Sequence, residues 1–257
     1  MKAWDKLRSG EAELALETMA EDCRDHPKDL SKAIQLGVAY MWLYEWEYAV
    51  THFSDFIANY SWSTDVMSKM LGTAKWCSGR QEEAVLEWRG GLNVDYADVS
   101  GGITIPLHLH FAAANSDILS LDESERILRE KFKIKDYIGY PALLALVALG
   151  DMEVEEAILV AKKTDPNGVK THQWKISFWH GVSLLASGNS EDFLSIAKSV
   201  SDHRWEDYDK GKTAFVKKLW STEFFLARNV VDFQSQLGGG VEEKKMIWEE
   251  LPGASNR

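Results

Sequence analysis

A short pattern recurs at a fixed distance and constrains this chain more than any other feature. Leu36-Gly37 returns 35 residues later as Leu71-Gly72, and Ala49 and Phe53 return in the same register as Ala84 and Trp88. A repeat of this length, with small and large residues at constant offsets, is the signature of stacked helix pairs. One such pair cannot bury its apolar face alone, so neighbours must stack against it. The small residues let two helices approach closely, and the large ones fill the groove between them. Only five prolines occur in 257 residues, which leaves long runs free to be helical.

The unit is clearest over residues 30–90. In GVAYMWLYEWEYAVTHF, Tyr40 supplies an aromatic to the first helix and Ala49 and Phe53 supply the small and large pair of the second. Tyr44 stands where a small turn residue is expected, which predicts a tighter or more apolar corner. In the next unit the turn Ser78-Gly79-Arg80 has its glycine, while Lys75, beside Trp76, replaces the first-helix aromatic. Read backwards, Gly10, Ala15, Met19 and Pro27 fit a second helix, and MKAWDKLRS leaves room only for a short, frayed first helix. Further hairpins are predicted at ALLALVALGDMEVEEAILVAKK, turning at Gly150-Asp151, and at WKISFWHGVSLLASGNSEDFLSIAKS, turning at Gly188-Asn189.

These positions resemble the tetratricopeptide-repeat (TPR) family, in a divergent form. The resemblance covers roughly residues 5–200, strongly at 30–90 and more loosely over 138–200. It implies an all-α fold, an α-α superhelix of helical hairpins in one domain spanning residues 1–257. It also implies a concave groove, lined mainly by the first helix of each pair, that receives a peptide or protein surface. The family's peptide clamps grip a terminal carboxylate with a set of Lys, Asn and Arg residues. Lys32 and Lys75 do not amount to that set, so a chaperone-tail adaptor is disfavoured.

Two stretches break the period. Gly-Gly pairs at 90–91 and 101–102 predict a loop over 93–102, followed by a helix from Ile105 to Ala114. Ser120 or Asp122 can cap the helix after that. Loops on repeat scaffolds often carry binding residues, which makes Tyr96 and Asp98 candidates, with Ser100, Gly101 and Gly102 beside them. The tail, 203–257, departs from the repeat. Phe215, Leu219, Phe225 and Leu226 mark a helical segment that would close the last apolar face of the array.

The chain carries a net charge of -11. Phosphate backbones repel such a surface, so nucleic acid is excluded as an expected ligand. A basic protein is the partner that this charge suits. The N-terminal residues have no apolar signal core, and the longest apolar run, Pro141 to Leu149, is too short for a bilayer. The expectation is a cytoplasmic chain with no membrane segment. No phosphate loop, nucleophile elbow or zinc pattern is found, so no catalytic residue, cofactor or metal is assigned. His108 and His110, two apart on a helix, point about 200° from each other and cannot chelate together; they read as surface histidines. Cys23 and Cys77 do not make a disulfide framework. Among eleven tryptophans, Trp42, Trp46 and Trp179 are candidate partner anchors, with Trp88 a core residue. The function expected is a non-catalytic protein-interaction scaffold. Its sharpest form is an acidic immunity- or antitoxin-like protein masking a basic partner. An enzyme with its site around 93–120, or a self-assembling adaptor, are the alternatives.

Overall fold

The computed structural model describes residues 3–60, 64–92, 102–133, 142–164, 169–202 and 221–237. These residues form thirteen helices and no strand: α1 (Ala3–Arg8), α2 (Ala12–Asp25), α3 (Leu30–Trp42), α4 (Trp46–Asn59), α5 (Thr64–Cys77), α6 (Gln81–Gly91), α7 (Thr104–Asn115), α8 (Leu121–Lys133), α9 (Ala142–Ala148), α10 (Val154–Thr164), α11 (Val169–Ala186), α12 (Ser190–Ser201) and α13 (Thr222–Leu237). Each helix packs on the next along the array from α1 to α8 and again from α9 to α12, in the all-α helical-repeat arrangement that the periodicity predicts.

The interlock within a hairpin uses the residues that repeat. A Cβ placed on Gly37 would lie 2.2 Å from Cζ of Phe53, and one on Gly72 would lie 2.2 Å from Nε1 of Trp88. Only glycine admits those rings, and both rings are wholly buried. In the last hairpin Phe193 approaches Gly181 in the same way, at 3.0 Å.

Five hairpins share one turn. Gly10, Gly79, Gly150 and Gly188 have φ of 85°, 85°, 72° and 89°, and Tyr44 has 61°. In each turn the left-handed residue donates its N–H to the carbonyl three back, and the next residue reaches five back. For Tyr44 these are Met41 O at 3.2 Å and, from Glu45, Tyr40 O at 2.9 Å. For Gly79 and Arg80 they are Trp76 O at 3.0 Å and Lys75 O at 2.9 Å. This is the Schellman termination, which needs a left-handed residue and therefore favours glycine. The corner at Tyr44 is thus the same turn as the others, not a tighter one, with a bulky residue held in a conformation costing roughly 1–2 kcal/mol.

Three expectations change. The short first helix is docked, with Trp4 and Leu7 buried and Trp4 Nε1 donating to Gln35 at 3.1 Å. His108 and His110 are fully buried, not on the surface, because α7 is enclosed by neighbours along nearly its whole length. Trp42 and Trp46 are half-buried, since α13 lies over them.

Two core clusters form. One takes residues from α1 to α5, and the other takes residues from α5 to α12. α13 belongs to both: Phe224 and Phe225 enter the first, and Leu226, Ala227 and Val230 the second. Residues 221–228 are all buried, the mark of a helix enclosed on every side.

Candidate functional site

α13 packs against the first helices α5 and α11 and against α12. Its side chains also reach α3 and α7. It therefore spans three helices of the array, and two polar clusters fix its register there.

The first cluster surrounds Arg228. Its Nε donates to the Tyr44 hydroxyl and its Nη1 to Trp42 O at 3.2 Å. The guanidinium lies 3.6 Å from the centroid of the Tyr44 ring and 5.6 Å from that of Trp42. A cation at the C-terminus of α3 also meets the negative end of that helix. Burial lowers the Arg228 pKa and Tyr44 and Asp232 oppose the shift, while a guanidinium stays charged throughout. The Tyr44 hydroxyl is pushed up to about 12, chiefly by burial, against the pull of Arg228. Nearby, Asn229 Nδ2 donates to Cys77 O at 3.3 Å, filling an open carbonyl at the end of α5. The strained backbone of Tyr44 places its ring and hydroxyl against Arg228.

The second cluster surrounds Glu223, which is 1% exposed. It accepts from Trp179 Nε1 at 3.3 Å and from Ser221 Oγ, and Lys175 Nζ stands 3.5 Å away. Burial raises its pKa, but Lys175, His108 and the hydrogen bonds outweigh burial and hold the carboxyl down at about 2. His108 faces the same helix. Its Nδ1 lies 2.6 Å from Thr104 O, which can only accept, so Nδ1 carries the proton and Nε2 accepts from Thr222 Oγ1 at 2.7 Å. Burial pushes this imidazole down to about 4, so it is neutral at pH 7. His110 points elsewhere, to Ser124 Oγ at 3.1 Å and Ala148 O at 3.2 Å. The two histidines share no partner, as their spacing on a helix requires.

Of the residues singled out from sequence, Trp42, Trp46 and Trp179 all converge on α13. Trp42 stacks on Phe224 with centroids 5.2 Å apart, Trp46 meets Phe225 edge-on at 6.4 Å, and Trp179 is fully buried against Glu223. Their occupant is a helix of the same chain. Tyr96 and Asp98 lie outside the described residues, as do Phe215 and Leu219. Sequence reasoning missed Glu223 and Arg228. The signal was present: Glu223 and Arg228 bracket the apolar run Phe224 to Ala227, and charges so placed can be buried only with partners.

The second helix of each pair begins on acidic residues. The first turns of α2, α4, α6, α8, α10 and α12 hold Glu13; Glu47; Glu82 and Glu83; Asp122 and Glu123; Glu155 and Glu156; and Glu191 and Asp192. The first turns of α3, α7, α9 and α11 hold none. Arg80 spans two neighbouring turns, pairing with Glu83 and with Glu47 at 3.4 Å, so these two acidic starts lie side by side. Acids at a helix N-terminus are stabilised by the helix dipole.

Among the described residues no cluster of three or more His, Cys, Asp or Glu side chains is gathered as a metal ion would need. No described helix is long and apolar enough to cross a membrane. No protein-family model matches the chain, and no curated protein matches it.

Proposed function

We propose that this chain is a divergent TPR-like scaffold that binds a basic protein and acts without catalysis, in the manner of an immunity or antitoxin protein. The observation that carries this reading is the division of the surface. α13 covers parts of α5, α11 and α12, and the second helices α2, α4, α6, α8, α10 and α12 each begin on exposed or half-exposed carboxylates. Such a surface attracts a cationic partner, speeds its encounter and repels acidic competitors. The repeat kinship rests on the Gly37–Phe53 and Gly72–Trp88 interlocks in matching register.

Affinity capture with the purified chain, followed by identification of bound proteins and a salt titration, tests the proposal. The expected result is a basic partner whose association slows and weakens as salt rises. Recovery of acidic partners alone, or binding indifferent to salt, would falsify it.

A further inference from the structure

We draw no further inference here: the strongest candidate, the exposed apolar side chains Leu14, Tyr48, Leu86 and Leu159 on the second helices α2, α4, α6 and α10, carries nothing, because nothing in the structure shows what covers them and the carboxylates beside them belong to the surface already described.

Discussion

Replacing Gly72 by alanine places a methyl group 2.2 Å from Nε1 and 2.5 Å from Cδ1 of Trp88. Ordinary contact begins near 3.5 Å, so the indole would have to retreat by roughly 1 Å or more. It has nowhere to go. Trp88 is fully buried, stacks on Trp76 with centroids 5.8 Å apart, and meets His108 edge-on at 5.2 Å. Overpacking of this kind costs about 1–3 kcal/mol, against a gain of about 1 kcal/mol from alanine's better helix propensity. The net expectation is a loss of up to about 2 kcal/mol, or up to several degrees in Tm for a chain of this size. Gly90, one helix on, is the internal control. A Cβ there meets nothing within 4 Å, and the site is exposed. Gly90→Ala should therefore stabilise by up to about 1 kcal/mol. Urea unfolding of both variants beside the wild type gives the comparison, provided the slope is unchanged. If the two substitutions shift the midpoint in the same direction, Trp88 does not fill the notch at Gly72 and the interlock argument fails.

Acid should weaken the fold in two stages. His108 titrates near 4 in the folded chain and near 6.5 when free, so the unfolded chain takes the proton first; stability is complete above pH 6.5 and falls by about 3 kcal/mol toward pH 4. Glu223, held near 2 rather than 4.5, extends the loss below pH 4.5 in the same direction. Unfolding free energy measured across this range should be flatter between pH 6.5 and pH 4 for His108→Gln, and an unaltered slope would count against a buried neutral imidazole. Tyr44→Phe keeps the ring over Arg228 but removes the hydroxyl that accepts from it, a loss of about 1.5–3 kcal/mol for a hydrogen bond to a charged group. A Tyr44→Phe variant as stable as wild type in urea would show that the ring alone anchors α13. Arg228→Met leaves Trp42 O and the Tyr44 hydroxyl without their donor, and should raise hydrogen exchange selectively in α13 and the end of α3. Uniform exchange across the chain would contradict that placement.

The hairpins were legible because their causes are local. Leu-Gly, Ala and aromatic positions recur at helical spacing, and four of the five shared turns have the glycine that a left-handed residue favours. The helix around His108 was placed within a residue of Thr104–Asn115 for the same reason, and Ser120 does cap α8, accepting from Glu123 N at 3.2 Å. The surroundings of those residues were not legible. Periodicity gives the direction of a side chain from its helix axis but not what stands opposite, so two core histidines read as surface ones.

The same limit governs the site. Sequence alone determined that the chain forms stacked helix pairs and that they turn at Tyr44, Gly79, Gly150 and Gly188. It could not say where the tail goes, because the contacts that place it join residues far apart, as Arg228 joins Tyr44 and Cys77 meets Phe225. Only the tertiary structure decided that α13 lies across α5 and α11, with Trp42, Trp46 and Trp179 closed over it. The physical reason is that helix and turn formation are settled within a few residues. The seating of a whole helix depends on which distant apolar face, and which buried charge, it can satisfy.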